Sequence, residues 1–212
     1  MTDTQKKPLW KNELVWLFLI TSGLFAILYS KFILGGYAYV FTDTGADTMQ
    51  INYAQYGLFS SLFRSGESGY VLQAGLGMDV SSYYPAYLIP YNLLILLAPQ
   101  RLLPWAVLAS AYLKMITISL VGYLFYRKLM QDGIGTMAAA LAWTFSGYVI
   151  LWGQHYGFCT CMALFTVFMY FLQCYLNGEQ HWKSAGLVIT VTMLLISSYY
   201  FLYMIAFFAV FY

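Results

Sequence analysis

Charged residues are scarce in this sequence. Only 8% of its 212 residues are Asp, Glu, Lys or Arg, and 61% are hydrophobic, whereas a soluble domain carries about 25% charged residues. The net charge of +2 is too small to suggest a nucleic-acid-binding surface. Several apolar segments reach the ~20 residues that cross a bilayer, namely 14–34, 103–126, 134–152, 157–176 and 184–212. The composition therefore predicts an all-α, polytopic transmembrane helix bundle.

Cysteine is also rare, and the common catalytic motifs are missing. Cys159, Cys161 and Cys174 all fall inside one apolar segment, so we predict free packing residues and not a disulfide framework. Cys159 and Cys161 point in different directions on a helix, which makes a poor metal site. The sequence has no Walker loop, zinc-ligand spacing, HExxH or GxSxG element. No standard motif therefore identifies a site.

Basic residues predict how the helices are oriented. The segment 87–98 is apolar but short and contains Pro90, so we predict a re-entrant or interfacial segment and not a crossing. With that assignment the basic residues of the N-terminus and of two later loops share one side, and these are Lys6, Lys7, Lys11, Arg127, Lys128 and Lys183. The positive-inside rule makes that side, and the N-terminus, cytoplasmic.

Both ends of the chain carry apolar runs. The first lacks a small-x-small cleavage pattern, so it is interpreted as a retained signal anchor. The last extends to Tyr212, and we expect residues 1–212 to be a single transmembrane domain that forms the N-terminal part of a longer protein. The pattern leaves open whether 184–212 is one tilted helix or two helices that break at Ser197-Ser198.

A polar, acidic insert at residues 35–84 is predicted to be a long first extracytoplasmic loop, because the bilayer excludes it. Within it, residues 47–65 have a helical spacing of apolar side chains, namely Met49, Tyr53, Tyr56, Phe59 and Phe63. This spacing predicts an interfacial amphipathic helix with its aromatic face in the lipid headgroups. Gly75 and Gly77 indicate a tight loop that allows close approach of a ligand to the backbone.

Two carboxylates at the start of the insert are the first candidates for chemistry. Asp47 followed by Gln50 has the pattern of a helix N-cap with its capping-box partner, and Asp43 lies in a turn-forming Asp-Thr-Gly. As functional groups, Asp43 and Asp47 suit a general base that takes a proton from an acceptor hydroxyl. The same oxygens suit a divalent cation, although no metal site is firmly predicted.

Lys114 lies near the middle of an apolar segment, where a charge costs about 2.5–3.5 kcal/mol. Ser110 and Thr117 share its helix face, so we expect this polar stripe to face the interior of the bundle. Two partners for the ammonium remain open: a phosphate of a lipid-linked donor, or a carboxylate in an ion pair.

Other polar residues have two interpretations each. His155 is placed on the side of the insert, where it serves proton transfer or phosphate contact, or is only an interfacial side chain. Arg64 and Arg101 bind a phosphate or anchor at the headgroups. His181 is expected to be solvated on the cytoplasmic side.

Four stretches carry a family resemblance. YVFTDTGADTMQ at 39–50 resembles the first outer loop of YfhO-type bacterial multi-pass membrane proteins, which typically reads Phe-x-Asp-x-Gly-x-Asp-Thr with Gln and Tyr close behind. Here Gln50, Tyr53 and Tyr56 supply the last part at slightly different spacing. QAGLGMD at 73–79 resembles the family's glycine segment, YNLLILLAP at 91–99 its Pro-x-Asn-Leu-Leu segment, and 146–155 its next helical hairpin.

The resemblance implies a fold and an activity. Such proteins are similar to GT-C glycosyltransferases, in which an acidic residue of the first outer loop acts as base or metal ligand, the donor is a polyprenyl-phosphate sugar, and the acceptor lies outside the cytoplasmic membrane. The family is linked to glycosylation of teichoic-type cell-envelope polymers. At matching positions this implies Asp47, then Asp43, as catalytic base, with Gln50, Tyr53, Gly75 and Gly77 near the substrate. Substrate contacts by Lys114, His155, Arg64 and Arg101 are predicted from the residues alone.

Two other functions fit the same sequence. A transporter or flippase of a lipid-linked saccharide would use the insert as a binding surface and Lys114 as a pathway residue. A non-catalytic scaffold for envelope machinery would need neither. The carboxylates separate these possibilities, because only a transferase requires a base at Asp43 or Asp47.

Overall fold

The computed structural model describes residues 12–41, 47–67, 69–72, 77–81, 84–130 and 132–212, and Asp43, Gly75 and the N-terminal lysines lie outside them. Within these ranges the regular secondary structure is helical apart from one two-stranded antiparallel sheet, β1 (Tyr70–Val71) with β2 (Met78–Asp79). The helices are α1 (Glu13–Leu28), α2 (Ser30–Leu34), α3 (Ala54–Ser65), α4 (Tyr84–Tyr87), α5 (Pro90–Leu97), α6 (Leu103–Leu129), α7 (Gly133–Thr144), α8 (Gly147–Leu151), α9 (Tyr156–Leu176), α10 (His181–Ser197) and α11 (Tyr199–Phe211). The predicted all-α helix bundle is confirmed.

Three helical stretches are long and apolar enough to cross a membrane, judged by length and composition: Gln100–Leu129, Gly133–Gln154 and Tyr156–Leu176. Shorter apolar helices are Glu13–Leu28, Trp182–Ser197 and Tyr199–Phe211. Helix α5 has eight residues and is therefore roughly 12 Å long. This length agrees with the assignment of the segment around Pro90 as non-crossing, which stays a prediction.

Helix α6 forms the centre of the bundle and packs against α1, α5, α7 and α9. Its buried side chains include Val107, Met115 and Ile118. Hydroxyl groups also join the helices, because Thr21 Oγ1 and Ser119 Oγ lie 2.7 Å apart between α1 and α6. Such small polar bridges are a common form of contact between helices in an apolar environment. The three cysteines are buried and free, as predicted.

Charged side chains gather at one end of the bundle. Lys128 of α6 and Lys183 of α10 both donate to the Glu179 carboxylate, and these hydrogen bonds lower its pKa to about 2 from the ordinary 4.5. At the same end Arg127 lies 4.0 Å from Glu13, at the start of α1. Arg127, Lys128 and Lys183, which the sequence assigned to one side, therefore do share one end, while its cytoplasmic orientation stays a prediction.

Three of the predicted spans are interrupted. Residues 14–34 form α1 and α2, with Tyr29 between them stacked on Phe25 at 4.2 Å. The stretch predicted at 134–152 is helical but breaks after Thr144, because Ser146 has an extended backbone. The hydroxyl of Thr144 bonds back to the Ala140 carbonyl in this last turn.

The question left open for 184–212 is resolved in favour of two helices. Ser198 has an extended backbone, with φ −169° and ψ 109°, and its hydroxyl accepts a hydrogen bond from the amide of Phe201. Helix α11 then turns back beside α9, since Phe201 packs on Phe158 at 5.1 Å and Phe208 on Phe165 at 5.8 Å. The α10–α11 break therefore lies at the end of the bundle opposite the charged cluster.

Candidate functional site

The predicted helix of the insert is present, but its aromatic face contacts protein. A π-helical turn, Thr48–Tyr53, leads into α3. Phe59 is fully buried and stacks on Tyr87 at 4.3 Å, and Tyr56 is also buried. The prediction that this face lies in lipid headgroups is therefore wrong for these two residues, since α4 and α5 cover them, whereas Met49 and Phe63 are exposed.

The first turn of this helix docks on the short turn before α9. Thr48 is fully buried, and its hydroxyl donates to the Gln154 carbonyl at 3.3 Å. Asp47 precedes it with helical dihedral angles, φ −57° and ψ −38°, and its side chain makes no capping hydrogen bond. The predicted N-cap role of Asp47 is therefore wrong, because the helix has already begun at that residue. Gln50, its predicted capping partner, is exposed.

The turn that receives Thr48 also carries His155. Its ring lies 5.4 Å from that of Trp152 and 5.2 Å from that of Phe158, so the imidazole is half-buried among aromatic side chains. The next residue, Tyr156, accepts a hydrogen bond from Lys114 Nζ on its carbonyl at 3.1 Å. Asp47, His155 and Lys114 come from three distant parts of the sequence, and the structure brings all three to the turn before α9.

Tyrosines line the space beside this turn. Tyr56 and Tyr156 stack with ring centroids 5.3 Å apart, and the Tyr156 hydroxyl donates to the Tyr39 carbonyl. Burial raises the pKa of the Tyr39 and Tyr56 hydroxyls well above the ordinary value of 10. Both groups are therefore neutral and able to donate hydrogen bonds. Burial likewise raises the pKa of Tyr53, which is half-buried.

A polar cleft of about 210 Å³ opens next to Tyr56, between the insert helix, α5, α9 and the end of α10. None of the described residues that line it is charged, and its polar side chains are Asn52, Gln55, Tyr56, Tyr87, Asn92, Thr160 and Ser197. Asn52 also donates to the backbone carbonyl of Asp47 at 3.2 Å, which links the Asp47 backbone to the cleft wall. The helix break at Ser198 is adjacent, as expected of irregular backbone that lines a cavity.

Most of the residues that line the cleft were not predicted from the sequence. Asn52 and Gln55 do carry a signal, because they lie off the apolar stripe of the insert helix. Asn92 is buried, donating to the Ala86 carbonyl at 3.0 Å and accepting from the Tyr56 hydroxyl at 3.4 Å. Thr160 is buried in an apolar helix. Isolated polar residues in apolar segments mark functional positions in membrane proteins, and this signal was available for both.

The predicted arginines do not line the cleft. Arg64 is exposed near the end of α3, where its Nε donates to the Ser60 carbonyl at 3.3 Å. Arg101 is exposed in the 3₁₀ turn Gln100–Leu102. That turn is tied to the insert helix, since Gln100 Nε2 donates to the Gly57 carbonyl at 2.5 Å. Both arginines therefore lie at the end of the bundle that carries the cleft.

Gly77 has a structural reason to be glycine. It has φ 109°, a conformation that favours glycine, and it precedes β2 of the hairpin, in which Tyr70 pairs with Asp79. A Cβ at Gly77 would collide with the Tyr70 ring. In the described hairpin the close approach predicted at Gly77 is therefore made by Tyr70.

A cation site at the paired carboxylates stays a prediction. The described residues contain no group of three His, Cys, Asp or Glu side chains able to hold a metal ion. Asp43 lies outside them, so the arrangement of Asp43 and Asp47 is not described.

A second, apolar pocket of about 420 Å³ lies between α6, α7, α9 and α11. Trp143, Phe165 and Phe208 supply much of its surface, and Trp143 Nε1 donates to Thr166 Oγ1 at 2.9 Å. Its lining suits a hydrocarbon chain and not a sugar.

The fold and the cleft define a membrane helix bundle with a polar site at one end. Residues 17–212 match the family model described as bacterial membrane protein YfhO, and the chain therefore belongs to that family. No curated protein and no solved structure matches it.

Proposed function

We propose that the protein is a GT-C-type glycosyltransferase. It moves a sugar from a polyprenyl-phosphate donor to a teichoic-type cell-envelope polymer outside the bacterial cytoplasmic membrane. The observation that carries this proposal is the uncharged cleft, lined by amides, hydroxyls and tyrosine rings, whose Asn52 donates to the backbone carbonyl of Asp47.

The chemistry of the cleft suits a sugar ring. Asn52, Gln55 and Asn92 carry side-chain amides, which both donate and accept hydrogen bonds, as sugar hydroxyls require. Tyr56 and Tyr87 add aromatic surface. A phosphate is a poor occupant, since burying it against uncharged groups leaves its charge without a partner. The donor phosphate is therefore assigned to the exposed Arg64 and Arg101 at the same end, with His155 as a further contact.

The proposed reaction is a single displacement. The carboxylate of Asp47, or of Asp43, removes the proton from an acceptor hydroxyl. The acceptor oxygen bonds to the anomeric carbon of the sugar as the bond from that carbon to the phosphate oxygen breaks, and polyprenyl phosphate leaves. The arginines stabilise the charge on the departing phosphate. Gln50 and Tyr53 follow Asp47 in the π-helical segment Thr48–Tyr53. One displacement inverts the anomeric configuration.

The orientation of the protein in the membrane explains why the donor is lipid-linked. The charged end with Lys128 and Lys183 is assigned to the cytoplasm and the cleft to the outer face of a multi-pass protein, as the positive-inside rule indicates. Nucleotide sugars are cytoplasmic, so a transferase with an outward-facing site takes a lipid-linked donor carried within the bilayer.

A transfer assay tests the proposal. The full-length protein in membranes is supplied with radiolabelled polyprenyl-phosphate sugars, and we expect label in the envelope polymer with inverted anomeric configuration. A retained anomer contradicts the single displacement. Movement of labelled donor across the membrane without covalent transfer, across several donors, supports the flippase alternative instead.

A further inference from the structure

Lys114 is a charged side chain enclosed by the bundle. It is only 2% exposed, and its Nζ donates to the Tyr156 carbonyl. An ammonium has three N–H donors, and no carboxylate of the described chain forms a salt bridge with it. The ammonium therefore needs a further polar partner within reach.

Ser110 lies one helical turn before Lys114, and its hydroxyl group also needs a polar partner. Its hydroxyl is buried and has no hydrogen-bond partner among the described residues. Both side chains line a cavity of about 10 Å³, and residues four apart share a helix face. A cavity of about 10–15 Å³ holds one water molecule. A phosphate does not fit, so the donor phosphate does not bind at Lys114.

We propose that Lys114 is a positioning residue for the cleft, completed by one buried water shared with Ser110. The inference rests on the proposed function in that it concerns the same site. The ammonium fixes the Tyr156 carbonyl, and the Tyr156 hydroxyl fixes the Tyr39 carbonyl. The Tyr156 ring stacks on Tyr56, which lines both the small cavity and the cleft. Lys114 therefore acts on the cleft through Tyr156 and not by contact with substrate.

Hydrogen–deuterium exchange on the full-length protein in membranes tests this assignment. Lys114→Met keeps an unbranched apolar stem and removes the donor. We expect amide exchange at 152–156 and 36–41 to rise on the order of 10-fold or more, because a hydrogen bond to a charged group is lost. Ser110→Ala keeps the bond to Tyr156 and is expected to change these rates less than about threefold.

The loop 177–180 at the opposite end is the internal reference. Unchanged exchange at 152–156 in Lys114→Met overturns the proposal. An equal rise at 177–180 also overturns it, because Lys114 would then stabilise the bundle as a whole. An experimental density map without a peak between Lys114 Nζ and Ser110 Oγ would show that the proposed water is absent. In the transfer assay Lys114→Met should lower kcat with little change in KM. If the wild type transfers no sugar, the proposed function fails while the exchange result still decides the role of Lys114.

Discussion

Replacing Gly157 with Trp is expected to lower sugar transfer about 100-fold or more, because displacement of a substrate from its productive position is that costly. Gly157 lies in the first turn of α9 and lines the cleft, and a Cβ built there meets nothing within 4 Å. The added indole therefore enters the space assigned to the sugar without a clash at Cβ. Transfer of label from polyprenyl-phosphate sugar to polymer measures the effect.

Gly147→Trp is the matched control. Gly147 also begins a helix, α8, and a Cβ there also meets nothing within 4 Å, but it does not line the cleft. Replacing glycine in a helix improves helix propensity by a few tenths of a kcal/mol, so both variants should fold. A fully active, folded Gly157→Trp protein would show that the sugar binds elsewhere.

Asp47→Asn is expected to lower kcat by ~10²–10⁴-fold, the usual cost of losing a general base. The amide keeps the size of the side chain and loses its proton affinity, so donor binding should change little. Asp43→Asn is measured in parallel, because the family resemblance makes both carboxylates candidates. The assay is the same transfer of label, with kcat and KM determined separately.

Asp132→Asn serves as the control for removing a carboxylate. Asp132 caps α7 by accepting from the amides of Ile134 and Gly135, far along the chain from the insert. Asn is an equally good cap, so transfer should stay at the wild-type rate. Wild-type transfer rates in both the Asp43 and the Asp47 variants would show that neither carboxylate is the base.

The fold was largely predictable because apolar length and helical periodicity are local signals. Residues 87–98 are predicted to be too short to cross, and α5 has only eight residues. The sequence does not predict that the chain reverses direction at Ser198, because Ser197-Ser198 alone does not distinguish a kinked helix from a turn between two helices. The burial of Tyr56 and Phe59 was missed for a related reason: an aromatic stripe packs equally well on lipid or on protein, and only the position of α5 decides.

The candidate site was predictable in part. The insert, His155 and Lys114 were singled out, and the structure joins them at the turn before α9. The partner of Lys114 is a backbone carbonyl, which has no signature in a sequence. The cleft itself combines Asn92, Thr160 and Ser197 from three separate helices, so no single stretch of sequence contains its pattern.

Photolabelling tests most directly whether the reacting sugar binds in the polar cleft. The full-length protein in membranes is illuminated with a polyprenyl-phosphate sugar that carries a diazirine on the sugar ring, and the labelled peptides are mapped. We expect adducts within 52–56, 86–92 and 157–160, competed by unlabelled donor. Adducts confined to the apolar pocket around Trp143 and Phe165, with none in the cleft, would show that the sugar does not bind in the cleft.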